Sequence, residues 1–198
     1  MVKEQLKNIF LSASIPLKER DPKYFDSADV IAIRDSVIAL ATVVLPNHRL
    51  IWGGHPSITP IIYHIVQRLC LNTQEHITLY QSLFFEKHFP EDNNKFENVI
   101  LTENKFEKDA SLLLMRRRML TENSFVAGIF IGGMEGIEDE YKLFRELHPK
   151  AFVLPISSTG AASQIVYRNN LPPEMKNQRL ERDYAYVSLF QDLLIDKI

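Results

Sequence analysis

The chain is poor in several things, and each scarcity closes off a class of explanation. One cysteine, Cys70, in 198 residues rules out an internal disulfide. With no signal-peptide pattern at the N-terminus, it reads as a protein of a reducing, cytoplasmic compartment. No apolar run reaches the roughly 18 residues that a membrane-spanning helix needs, so no membrane partner is expected. Neither sign of charge dominates: 23 basic against 25 acidic residues gives 23 − 25 = −2, which leaves no global field to hold nucleic acid or an anionic bilayer. The histidines His48, His64, His76, His88 and His148 have no metal-site spacing, and one cysteine supplies no cluster, so neither a metal nor a cofactor is expected. The sequence also lacks a Gly-x-Ser-x-Gly elbow and a Gly-x-x-x-x-Gly-Lys-Ser/Thr loop, which removes support for hydrolase-elbow and P-loop chemistry.

What is present is organised around Phe125 to Glu146, FVAGIFIGGMEGIEDEYKLFRE. Phe125 to Ile131 is almost unbroken apolar sequence, as suits a strand covered on both faces. Gly132, Gly133 and Gly136 stop it sharply, and helical spacing resumes from Glu138 to Leu147, with Tyr141 and Phe144 on one face. A strand, a glycine turn and a helix bring bare backbone amides to the carboxyl edge of a sheet, where an anionic or sugar ligand can approach.

The rest of the chain alternates in the same way. Asn8–Ser12 is read as a strand, followed by a polar loop to Ser27, which is expected to cap a helix from Ala28 to about Leu45. His48–Gly53 is a second strand; Ser57 or Thr59 then caps a helix to about Leu71, with Pro60 in its first turn. His76–Gln81 and Asn98–Thr102 are further strands, and the segment 81–96 between them fits no period. A helix from about Lys108 to Glu122 precedes the central strand. Ala151–Ile156 is a last strand, Ala161–Asn169 a short helix, and Arg182–Asp196 a final amphipathic helix whose apolar face carries Tyr184, Val187, Leu189 or Phe190, and Leu194. Alternation at this spacing predicts one α/β domain over residues 1–198, a Rossmann-like open parallel sheet with helices on both faces.

Ligands of such sheets bind beyond the carboxyl ends of the strands, where strand order reverses. Four loops fall there: Ser12-Ala13-Ser14, Gly53-Gly54-His55, Gly132-Gly133-Met134-Glu135-Gly136, and Ser157-Ser158-Thr159-Gly160. Glycine serves tight turns on its own account; four such loops together point to a pocket for a polar ligand. The acids Glu135, Glu138, Asp139 and Glu140 stabilise a helix start by about 0.3–1 kcal/mol each. They repel phosphate and suit ribose hydroxyls or an acid/base step. Countercharge is expected from ASLLLMRRRMLTE, residues 110–122, where Arg116 lies on the apolar face among Leu112, Leu113, Met119 and Leu120. An inward arginine needs a carboxylate or a ligand; a salt bridge to Glu140 and a ligand contact are both open. Arg34, among Val30, Ile31, Val37 and Ile38, carries the same ambiguity. His55 reads equally as a phosphate donor or as a turn residue.

These stretches, FLSASIP (10–16), IWGGHP (51–56), MRRRML (115–120), IFIGGMEGIEDEY (129–141) and LPISSTGAA (154–162), resemble the SLOG superfamily. That Rossmann-like group includes the cytokinin-activating LOG proteins, "lysine decarboxylase-like" proteins and DprA. The chain is most similar to the SLOG clusters of bacterial conflict systems. The resemblance implies a sensor of a nucleotide-derived ligand such as ADP-ribose or cyclic ADP-ribose, a homo-oligomer, and an effector domain or an effector acting in trans in anti-phage defence. Enzymatic LOG proteins carry Pro-Gly-Gly-x-Gly-Thr-x-x-Glu and an arginine on the preceding helix, and cleave a base from a ribose monophosphate. Here Ile131 stands for the proline, Glu135 is an apparent extra residue, Ile137 stands for the threonine, Glu140 matches the glutamate, and Arg116 or Arg117 the arginine. The implied alternative to a sensor is therefore a LOG-like phosphoribohydrolase using Glu140 and Arg116, and a third reading is a scaffold in which Phe84–Phe89 is an oligomer contact.

Overall fold

The computed structural model describes residues 6–71 and 73–198. Six strands, β1 (Asn8–Ser14), β2 (Arg49–Gly53), β3 (Ile77–Ser82), β4 (Val99–Thr102), β5 (Phe125–Gly132) and β6 (Phe152–Ile156), form one sheet in the order β4-β3-β2-β1-β5-β6. Every pairing is parallel, as the unbroken apolar strands predict. Chain order runs outward from β1 to β4, then returns to the other side of β1 as β5. The switch point therefore lies between the carboxyl ends of β1 and β5.

Between the strands come α1 (Pro22–Phe25), α2 (Val30–Val44), α3 (Thr59–Leu69), the short turn α4 (Thr73–His76), α5 (Lys108–Thr121), α6 (Glu135–Leu147) and α7 (Ala161–Ile165); α8 (Gln178–Arg182) and α9 (Tyr186–Leu193) close the chain. α2 packs with α3 and α9, and α5 with α6. Side chains alternate along β1, so Phe10 turns toward α6 and stacks on Phe144 with ring centroids 5.4 Å apart. Phe125 and Phe130 complete that aromatic layer. Among the described residues no helix is long and apolar enough to cross a membrane.

Several boundaries differ from the sequence expectation, each for a local reason. β1 runs two residues further, to Ser14, because Ala13 and Ser14 keep pairing with Ile131 and Gly132. α2 is capped by Asp29, whose carboxylate accepts from the Ala32 N–H at 2.9 Å, and not by Ser27. Neither Ser57 nor Thr59 caps α3; Thr59 is buried and its hydroxyl takes the His55 N–H and the Trp52 indole N–H. His76 closes α4 and β3 starts at Ile77. The aperiodic segment holds two 3-10 turns, Leu83–His88 and Glu91–Lys95, the second followed by Phe96, which packs edge-on against Trp52. α7 ends at Ile165 and continues as a wider π turn, Val166–Asn170. The expected final helix is broken: Asp183 accepts from the Ala185 N–H at 2.8 Å and from Arg179 at 2.8 Å, a local side-chain network that stops α8 before α9 begins. Leu189, Phe190 and Leu194 are core, whereas Tyr184 and Val187 are exposed.

Candidate functional site

The switch point opens into a cleft of about 330 Å³. Next to it the chain leaves β5 through Gly132 and Gly133, with φ of 57° and 74°, a conformation that side chains oppose. The Gly133 N–H donates to the Ser14 carbonyl at 2.8 Å, tying the turn to β1. α6 begins directly afterwards, at Glu135. Glu135, the apparent extra residue against the LOG pattern, is the first residue of the helix, which starts three residues earlier than Glu138. Met134 makes no side-chain cap; the Ile137 N–H donates to the Met134 carbonyl at 2.9 Å, which leaves the Glu135 and Gly136 amides as the first-turn donors for a ligand.

Gly136 lies in that first turn and is needed for space. A Cβ there would come within 2.7 Å of Arg116 Nη2. The guanidinium crosses the helix start and donates from Nε to Glu140 Oε1 at 3.0 Å, with Nη1 3.5 Å from Asp139. Glu140 Oε2 accepts from the Ser12 hydroxyl at 2.5 Å. Ser12 reaches it because it follows Phe10 by two residues and shares the face turned to α6. Both oxygens of Glu140 are therefore held, one by α5 and one by β1. Of the two arginines left open by the sequence, Arg116 makes this contact; Arg117 is exposed, and Arg118 pairs with Glu122 on its own helix at 2.7 Å. Arg34 is exposed and pairs with its neighbour Asp35.

The opposite wall is built by β2 and β3. Gly53 and Gly54 owe their identity to neighbours: a Cβ on Gly53 would sit 2.9 Å from Met115 Cε, and one on Gly54 would overlap the Gln81 amide nitrogen. His55 Nδ1 accepts from the Ser57 N–H at 3.3 Å, which leaves the ring proton on Nε2 in this hydrogen-bond assignment. Burial, and next the positive charge of Arg20, push its pKa down to about 4, so the ring is neutral near pH 7. A neutral ring donates a single hydrogen bond into the cleft and brings no charge to a phosphate.

The structure brings Ser12, Ala13, Ser14, Gly53, Gly54, His55, Arg116, Met134, Glu135, Gly136 and Glu140 to the lining of this one cleft. Gly132 and Gly133 do not line it; they make the turn that leads from β5 to the lining residues Met134–Ile137. Ser158, Thr159 and Gly160 do not line it. They stand behind the glycine turn: the Gly132 N–H donates to Thr159 Oγ1 at 3.0 Å and to Ser163 Oγ at 3.2 Å, and Ser158 meets the Tyr186 hydroxyl at 3.1 Å. Among the described residues, no group of three or more His, Cys, Asp or Glu could hold a metal ion.

Several lining residues escaped the sequence reading. Arg20 comes from the β1–α1 loop and pairs with Glu135; nothing in its neighbourhood signals that role. Lys108 did carry a signal, because a base at the first position of a helix opposes the dipole. Gln81 also carried one, as a polar residue near the end of an otherwise buried strand. Arg20, Lys108 and Arg116 against Glu135 and Glu140 give the lining an excess of one positive charge, 3 − 2 = +1. An anion fits such a cleft when a carboxylate in it can turn to sugar hydroxyls.

Comparison with known proteins bears on the fold and the family. The chain is similar in structure to TM1055, a Northeast Structural Genomics Consortium target known from an X-ray structure, with a TM-score of 0.61 and 14% identity over 98% of this chain and 100% of that one. At that identity the likeness speaks for the fold alone. A search of the curated proteins finds no match. A family model described as the SLOG cluster3 family matches residues 23–194. That span reaches from α1 to the end of α9 and includes every lining residue of the cleft except Leu11–Ser14 and Arg20, and the chain therefore belongs to the SLOG cluster3 family.

Proposed function

We propose that the chain is a receptor for a nucleotide-derived signal, an ADP-ribose or cyclic ADP-ribose-like compound, and that occupancy of the cleft is coupled to assembly or to an effector in a bacterial conflict system. The observation that carries this reading is the state of Glu140, with one oxygen on Arg116 and the other on Ser12. A carboxylate held at both oxygens is suited to fixing hydroxyls and orienting an arginine. It is less suited to taking a proton. Ile137, which is buried and presses its side chain toward Gly133, puts apolar surface where the LOG pattern has a hydroxyl. The first-turn amides of α6 with Arg116 supply the anion site, and Arg20 and Lys108 supply charge at the rim. The volume is within the usual range for small-molecule sites, about 300–1,000 Å³. An anion on Arg20 competes with Glu135 for that side chain, and Tyr24 hydrogen-bonds Glu138 at 2.6 Å. Ligand occupancy thereby bears on how the β1–α2 segment rests on α6. Exposed Val30 and Ile31 on α2 and Val187 on α9, two helices that pack together, support a homo-oligomer.

A second reading is favoured by one observation, the direct contact of Arg116 with Glu140 at the cleft. In a phosphoribohydrolase, Glu140 would activate water for attack at the anomeric carbon while the base departs with the bonding electrons and is protonated.

Calorimetry against ADP-ribose, cyclic ADP-ribose, NAD and AMP, with mass spectrometry of the recovered ligand, separates the two. A receptor binds one of these and returns it intact, in the wild type and in Glu140→Gln alike. An enzyme returns free base, and Glu140→Gln abolishes the product while affinity survives. No binding of any of the four would overturn both.

A further inference from the structure

Gln81 closes the carboxyl end of β3 beside the cleft. It is 4% exposed, and its amide nitrogen has no hydrogen-bond partner among the described residues. A primary amide withdrawn from water without a partner is destabilising, and packing alone would be served better by leucine or methionine. The neighbourhood is built to keep it there: Gly54 has no side chain, and a Cβ at that point would overlap the amide. Just after β3 the 3-10 turn carries Phe85, followed by Phe89, and both line the same cleft as Gln81. Two aromatic rings and a carboxamide from this one stretch of chain differ in kind from the pair of Arg116 and Glu140.

Resting on the receptor reading above, we propose that this end of the cleft is a base subsite. The carboxamide of Gln81 reads the edge of a heteroaromatic base that presents a donor beside an acceptor, as adenine does, and Phe85 and Phe89 cover its faces. A carboxamide offers one donor and one acceptor in a plane, the pairing that glutamine makes with adenine elsewhere. Aromatic side chains supply the stacking that holds a base by its faces. The spacing agrees: β3 lies three strands from β5, the strand that leads into α6, about 14 Å along the sheet edge at ordinary strand separation. A ribose fits between a base at Gln81 and a phosphate at the start of α6.

The test is calorimetry of the wild type and Gln81→Leu with AMP and ADP-ribose, which carry the base, and with ribose 5-phosphate, which does not. Thermal melting is followed in parallel. Gln81→Leu should weaken the adenine ligand by tenfold or more, leave ribose 5-phosphate unchanged and melt no lower than the wild type. Unchanged affinity for the adenine ligand overturns the base subsite and leaves the receptor reading standing. An equal loss for both ligand types also overturns it, since that marks a structural role. If Gln81→Leu does not fold, Gln81→Glu decides by the same comparison, because it keeps the shape and removes the donor. A wild type that binds none of the three ligands removes the receptor reading and the base subsite together.

Discussion

Gly136→Ala is the sharpest test of how the cleft is assembled, because two effects of opposite sign fall on one methyl group. Alanine in a helix gains about 0.5–1 kcal/mol over glycine, less in a first turn. Against that, the new Cβ would sit 2.7 Å from Arg116 Nη2, and the guanidinium has to shift, which strains its pair with Glu140 and at the limit breaks it. Its pair with Glu140 is largely covered, with side-chain exposures of 15% and 14%. Its loss costs more than the roughly 0–1 kcal/mol of an open surface pair and less than the 3–5 kcal/mol of a fully buried one. Glu140 keeps Ser12, so about 1–2 kcal/mol is the reasonable figure, and the net change in stability is within about 1.5 kcal/mol. At this chain length that shifts Tm by only a few degrees. Binding should respond far more. Removing a charge-assisted contact to phosphate costs about 1.5–3 kcal/mol, a loss of roughly 10- to 150-fold in affinity. Thermal melting and calorimetry with ADP-ribose or AMP on the same preparation read the two quantities. Unchanged affinity in a variant of normal stability would refute the claim that Gly136 exists to seat Arg116. So would equal falls in stability and binding.

Two further predictions concern stability. Gly128→Ala points a methyl at Phe144, 2.8 Å from two ring carbons, and that ring is stacked on Phe10 with no room to retreat; the expected loss is about 1–3 kcal/mol by overpacking, read as a lower urea midpoint, and a neutral result would refute the close packing. His55 makes folding depend on pH: its pKa falls from 6.5 unfolded to about 4 folded, so between those values the unfolded chain takes up a proton that the folded one refuses, and stability falls as pH drops through that window. The limit is about 3 kcal/mol, lowered by the ring's partial opening to the cleft. Urea unfolding at pH 7 and pH 4.5 should show a steeper loss for the wild type than for His55→Gln, and parallel losses would show that the ring is not desolvated.

The sheet was legible because parallel strands covered on both faces are unbroken apolar runs, and β5 is the plainest of them. Its helix was harder to place. Glu135 and Gly136 read as turn residues, yet Glu135 suits the positive end of α6, and Gly136 is glycine because of a side chain 20 residues away in sequence. No local pattern carries that information. The cap of α2 was misread because Ser27 and Asp29 are both good caps, and only the path of the chain chooses Asp29, whose own N–H donates to the Thr159 carbonyl. The break at Asp183 follows from pairings with Arg179 and the Ala185 amide that helical spacing cannot express. Arg116 and Arg34 looked alike in sequence, each flanked by apolar residues at helical spacing. They differ because α5 faces α6 across the cleft, whereas Arg34 sits on the solvent side of α2 with Asp35 in reach.

The glycine loops that look alike in the sequence do unlike work, and the difference explains how one cleft can have two chemically distinct ends. Gly132 and Gly133 are glycine for their backbone angles. They turn the chain so that α6 can start at the cleft. Gly53, Gly54 and Gly136 have no such angles, and each instead leaves room for one neighbour: Met115, Gln81 and Arg116 respectively. Three side chains from β3 and α5 thus fill the places that side chains of β2 and α6 would have taken. The charged end depends on Gly136 and Arg116, and the aromatic end on Gly54 and Gln81. The two share no side chain. Substitutions at one end should therefore add to those at the other without coupling, as expected of a ligand whose phosphate and base are held at separate ends of the cleft.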